Sequence, residues 1–108
     1  MVKTYHVVLL PQARVGLKQI TDYLRRTASD SVATKVRKSI MENVKKLSTM
    51  PNSHEKIEEI STEQIVYRRA LQWSYRIVFT VHEEELRVLV VDIDHGGDDP
   101  QKLIDKFG

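Results

Sequence analysis

Apolar positions recur at steps of three and four through the first half of the chain and at steps of two through the second. Lys3 to Leu10 is short, apolar and β-branched, which predicts a first strand. Pro11 suits the first turn of a helix, where its missing N–H is an orphan in any case. From there Ala13, Leu17, Ile20 and Leu24 form one helical stripe, flanked by Tyr23. Thr27-Ala28-Ser29-Asp30-Ser31 breaks the stripe, with Asp30 or Ser31 placed to cap a second helix. That helix carries Ala33, Val36, Ile40, Val44 and Leu47 on one face and Lys35, Arg37, Lys38, Lys45 and Lys46 on the other, and Pro51-Asn52 ends it. Two stripes joined by a short break predict a helical hairpin packed on a sheet.

Residues Asn52 to Glu63 form a polar, acidic connection. Ile65 to Leu71, Tyr75 to Val81 and Leu86 to Asp94 then read as three strands. Gln72-Trp73-Ser74 and His82-Glu83-Glu84-Glu85 are short enough for hairpin loops. Leu86 to Val91 is apolar on nearly both faces, so this strand is expected in the middle of the sheet. His95-Gly96-Gly97 breaks it. Asp99 is placed to cap a last short helix from Pro100, with Leu103, Ile104 and Phe107 expected inside. The expected class is α+β: an N-terminal strand, a helical hairpin and a three-stranded antiparallel run, forming a mainly antiparallel four-stranded sheet, then a short C-terminal helix.

The length of 108 residues makes this one domain, 1–108. With 41% hydrophobic and 30% charged residues, disorder is not the default. The absence of cysteine excludes disulfides, a thiolate nucleophile and Cys-ligated metal, and fits a cytoplasmic location. No apolar run approaches the roughly 18–20 residues of a membrane span, and the N-terminus has no signal-peptide pattern, so no membrane partner is expected. The net charge of +2 conceals an asymmetry: residues 1–50 carry +7 and residues 51–108 carry −5. A segment at +7 can form a face for nucleic acid or for an acidic partner protein; the plainer alternative is a solvated helix surface.

Period-two geometry puts Tyr75, Ile77, Phe79 and Val81 on the face toward the hairpin and Arg76, Val78, Thr80 and His82 on the other. Arg68 and Arg69 point to opposite faces, so one of them is expected beside Arg76. His95 follows Arg87, Leu89, Val91 and Ile93 on a common face. If register permits, Arg76, one of Arg68 and Arg69, and His95 converge on the open sheet face. Guanidinium forks suit phosphate, and an imidazole moves protons near neutral pH. Against this, a sheet arginine is usually a stem-packed surface residue, and a histidine before two glycines is often a turn residue. Asp92, Asp94, Asp98 and Asp99 near His95 invite a metal reading that no ligand spacing supports, so neither metal nor cofactor is expected.

The order of elements and the string YRIVFTVHEEELRVLVVDIDHGGDDP resemble the RelE/ParE superfamily of toxins from type II toxin–antitoxin modules, the plasmid-stabilisation type. Tyr75-Arg76-Ile77-Val78-Phe79 matches the superfamily's most recognisable strand, and Ile93-Asp94-His95-Gly96 matches in part the end of its last one. The hairpin string around Ala13, Leu17, Ile20, Tyr23 and Leu24, then Leu47 and Pro51, is similar to the ParE branch, which is slightly favoured.

The resemblance implies a cytoplasmic toxin that arrests growth and is neutralised by a cognate antitoxin, as a homodimer or as a hetero-oligomer with that antitoxin. The groove beside the hairpin and the open sheet face are the implied seats of the antitoxin. Two chemistries are implied. A ParE-like member inhibits DNA gyrase by binding. A RelE-like member is a metal-independent mRNA interferase on the ribosome, with Arg76, Arg68 or Arg69, and His95 in the charge-stabilising and proton-transfer roles and Glu63 as a candidate base. The chain departs from both patterns: Gly97-Asp98 stands where Arg-Arg is expected, and 101–108 holds no Tyr. A toxin fold that has lost its activity and binds only the antitoxin is a third reading.

Overall fold

The computed structural model describes residues 3–96 and 100–107, the latter without the side chains of 100, 102 and 103. The chain runs β1 (His6–Leu9), α1 (Pro11–Thr27), α2 (Asp30–Lys46), a 3-10 turn (Pro51–Ser53), β2 (Glu55–Lys56), β3 (Tyr67–Gln72), β4 (Tyr75–His82), β5 (Arg87–Asp94) and α3 (Pro100–Phe107). The sheet order is β1-β5-β4-β3-β2. β1 pairs with β5 in parallel, which the hairpin crossover makes possible, and all other pairings are antiparallel. The expected α+β class is present; the last strand, expected in the middle, is interior between β1 and β4, while β4 holds the middle. The short β2 strand is an addition, formed inside the acidic connection where Glu55 pairs opposite Arg69.

Each helix is made by its stripe. α1 buries Ala13, Leu17 and Ile20, and α2 buries Ala33, Val36, Ile40 and Val44. The cap of α2 is Ser29, one residue before the expected Asp30 or Ser31; its hydroxyl accepts from the Val32 N–H at 3.1 Å. The stripes meet Tyr5, Ala70, Ile77, Phe79, Val88, Val90 and Ile93 in the main core. Burying one large aliphatic or aromatic side chain contributes roughly 1.5–3 kcal/mol, so this core dominates folding.

The face away from the hairpin is not open, as the sequence had suggested. Ile57, Ile60 and Val78 form a second core with Tyr67, Val91 and Phe107. Loop 57–66 and α3 therefore cover it. In α3, Phe107 packs on Tyr67 with ring centroids 5.3 Å apart, whereas Ile104, expected inside, is exposed. The Leu103 side chain and the proposed Asp99 cap lie outside the described residues. Among the described residues, no helix is long and apolar enough to cross a membrane.

Candidate functional site

A bulge between Val78 and Phe79 decides where the candidate residues go. Val78 pairs with Asp92, but Phe79 pairs with Val90, so Val91 is the extra residue on β5. One inserted residue reverses the alternation of everything beyond it. Leu89 and Arg87 consequently share the face of Thr80 and His82, while Ile93 joins the hairpin-side core. His95, two residues on from Ile93, comes to the hairpin side. Arg76 stays on the other, opposite Asp94. The convergence expected of Arg76 and His95 does not form.

Arg76 is fully buried. Its Nε donates to Asp94 Oδ1 at 3.1 Å and its Nη2 to Asp94 Oδ2 at 3.0 Å. This fork-to-carboxylate geometry is the strong form of an ion pair. Gly96 closes it. Its N–H donates to Asp94 Oδ1 at 3.1 Å, and a Cβ there would sit 2.1 Å from Arg76 Nη2. Lys106 of α3 adds a second cation, 2.7 Å from Asp92 Oδ2 and 3.4 Å from Asp94 Oδ2. Partial burial opposes the charge on this lysine, but the hydrogen bond it donates to Asp92 and the two carboxylate charges outweigh it and raise its pKa. Asp92 and Asp94 are thereby held by Arg76 and Lys106. Among the described residues no cluster of three His, Asp or Glu side chains is arranged to hold a metal.

The other candidates are dispersed. Arg68 donates to the His54 carbonyl at 2.8 Å. Arg69 pairs with Glu55 at 2.9 Å. Glu63 is exposed in loop 57–66. His95 alone of the five candidates lines a groove of about 650 Å³ between α1 and the end of β5. Its ring lies 4.9 Å from that of Tyr75, tilted by 34°, and its Nε2 is 2.6 Å from Ser74 Oγ. Burial, and secondarily Tyr23, push the Tyr75 hydroxyl above its ordinary pKa.

Helix α1 supplies the opposite wall through Val15, Gly16, Gln19 and Tyr23. Gly16 sets the groove's depth. A Cβ at this position would lie 2.0 Å from the Ile93 carbonyl oxygen, so only glycine lets the helix rest on β5. Val15 and Tyr23 are 55% and 53% exposed, well beyond what a helix stripe turned to the core leaves in water. At the same end of the sheet Trp73, 61% exposed, holds a left-handed φ of 55° in the two-residue β3–β4 turn next to Ser74. The groove sets this apolar and aromatic α1 wall against a polar one made by Asp92, Asp94 and His95 at the end of β5 and by Lys106 of α3. Its α1 wall went unrecognised in the sequence because Val15, Gln19 and Tyr23 fall beside the core stripe; Tyr23 as a flank was the only signal.

No curated protein matches the chain in sequence. Among solved structures it resembles a chain of the chromosomal ParDE toxin–antitoxin system from P. aeruginosa, with 18% identity over 86% of this chain and 97% of that one and a TM-score of 0.69. It also resembles a chain of the RelBE2 toxin–antitoxin complex from Mycobacterium tuberculosis, with 20% identity over 89% and 95% and a TM-score of 0.65. At these identities the likeness is one of fold. Residues 7–100 match the family model for the ParE toxin of type II toxin–antitoxin systems, parDE. That match spans most of the sheet and the whole helical hairpin, and the chain accordingly belongs to the ParE toxin family.

Proposed function

We propose that this chain arrests growth by binding DNA gyrase, as a ParE-type inhibitor, and that a cognate antitoxin neutralises it through the α1–β5 groove. The observation that carries the reading is the position of Arg76. An RNase of this fold needs a cation and an acid–base group aimed at one phosphate. Arg76 is fully buried, forked onto Asp94, and absent from the lining of the groove that His95 enters. A surface of exposed apolar and aromatic side chains supports binding chemistry instead, because such residues carry most interface energy. The groove suits a segment that folds on contact, burying an apolar face against Val15 and Tyr23.

The test is induction of the chain in a bacterial host, with DNA breakage and translation followed separately over the first minutes, beside a supercoiling assay on purified gyrase. Early DNA damage with translation intact, and toxicity retained in His95→Ala, is the expected result. An early translation block with cleaved transcripts would overturn it in favour of the mRNA interferase. No growth effect from soluble, folded protein would favour the antitoxin-binding domain without activity.

A further inference from the structure

Helix α1 has two flanks of opposite character. One, bearing Gly16 and Tyr23, walls the groove described above. The other faces α2 across a furrow of about 410 Å³, where Arg14, Lys18 and Arg25 of α1 meet Arg37 of α2. One carboxylate, Asp22, lines the same furrow. Asp22 already accepts from Lys18 at 2.6 Å and from Arg25 at 3.4 Å. The Lys18 hydrogen bond, against some desolvation, and the charges of Lys18, Arg25 and Arg26 hold its carboxyl below the ordinary range, as a positive field would.

The charge continues past the furrow. By helical spacing the outward face of α2 carries Lys35, Lys38 and Lys45, with Lys46 beside them and Glu42 as its single acid. Arg37 and these four lysines are exposed and show no ion pair with any described residue. Elsewhere several cations do pair with carboxylates: Arg69 with Glu55, Arg76 with Asp94, Lys106 with Asp92. The charge asymmetry of the sequence has thus become a basic hairpin on one side of the sheet.

We infer that this furrow and the adjoining face of α2 are a seat for the phosphate backbone of duplex DNA. Three observations select that occupant. None of the large exposed apolar side chains lines the furrow, so a protein partner would find charge without anchors. No aromatic residue lines it either, which removes the stacking platform a single strand needs. The length also fits. Arg14 and Arg25 lie about 16 Å apart along α1 at 1.5 Å per residue, and that distance of duplex axis carries about five phosphates per strand. Cations on the outside of a helix reach the phosphates beside the wide major groove of B-form DNA, whereas the deep, narrow one of A-form RNA shuts a helix out. The contact is to backbone, and no base readout is implied. It is independent of the gyrase reading: a target that itself handles DNA would bring this face near a duplex, but neither result decides the other.

The experiment is fluorescence anisotropy of the full chain with a labelled 20-base-pair DNA duplex across a salt series, with an RNA duplex and a DNA single strand of the same sequence as the other arms. With about four phosphates neutralised, log K should fall with log salt at a slope of about −3.6, or about 10²-fold between 50 and 200 mM. Arg37→Gln/Lys38→Gln should weaken binding at least about 10-fold at low salt and flatten the slope by about 1.8, with circular dichroism and melting unchanged. Lys56→Gln, on the edge strand β2, should bind like the parent chain. No binding at 50 mM salt, an unchanged slope in the double variant, or tighter binding of the RNA duplex or the single strand would each overturn the assignment. Loss of gyrase inhibition in a chain that still binds the duplex would count against the gyrase reading alone.

Discussion

Replacing Arg76 by methionine keeps most of the side chain's volume and removes its charge. The guanidinium is fully buried and Asp94 is 11% exposed, so the variant strands a nearly buried carboxylate. Breaking a buried pair from one side costs about 3–5 kcal/mol, because the remaining charge stays desolvated. Asp94 keeps two partners, the Gly96 N–H at 3.1 Å and Lys106 at 3.4 Å. That places the expected loss at the lower end, about 3 kcal/mol. At roughly 4 °C per kcal/mol for a domain of this size, the melting temperature should fall by about 12 °C. In urea, with a slope of about 1.5 kcal/mol/M, the midpoint should fall by about 2 M. Arg76→Met/Asp94→Leu should recover more than half of the loss, since both charges leave together. Toxicity of Arg76→Met should fall in step with its folded fraction. A variant within about 1 kcal/mol of the parent, a small change for a buried site, that has nevertheless lost toxicity would refute the structural role. Such a result would return Arg76 to the catalytic one.

Two further outcomes follow from the same geometry. Val15→Glu/Tyr23→Glu puts two carboxylates on exposed positions of the groove wall; capture by the antitoxin should weaken at least about 10-fold, or 1.4 kcal/mol, with melting unchanged, and unaltered capture would place the antitoxin elsewhere. His54 sits edge-on to Phe79 at 5.6 Å, and burial, then the charge of Arg68, hold its imidazole below the ordinary range. The folded state thus prefers it neutral, so its contribution is complete above the unfolded value near 6.5 and is lost as pH falls through the folded value. Urea midpoints should decline as pH falls below 6.5, before the Asp22 and Glu83 carboxylates, both shifted down, lose their contributions. His54→Gln should flatten that decline, and a parent profile already flat there would show that the imidazole is not held neutral.

The string that makes the family resemblance visible turns out to be largely structural. Arg76, Asp94 and Gly96 are three parts of one buried contact: a fork, its carboxylate and the glycine that leaves room for both. Spacing alone could not show this, since Arg76 and Asp94 are eighteen residues apart. His95, read beside them, instead packs on Tyr75 and lines the α1–β5 groove, which Asp94 reaches and Arg76 does not.

Periodicity was sufficient for the helices, the strands and the class of fold. A stripe at three and four, or an alternation of two, reports which side of an element is kept from water, and that is a local property of the chain. Charge likewise marked the first half of the chain as basic. Tertiary structure alone decided which candidates meet. The bulge at Val91 carries no mark in the residue types, yet it reverses every side chain between itself and His95. Loop 57–66 and α3 close a face that alternation left open, because covering Val78 is favourable whichever segment does it. The groove exists because Gly16 lets a helix rest against the Ile93 carbonyl. These are relations between segments far apart in the chain, set by register and close approach, and no local pattern of residues encodes them.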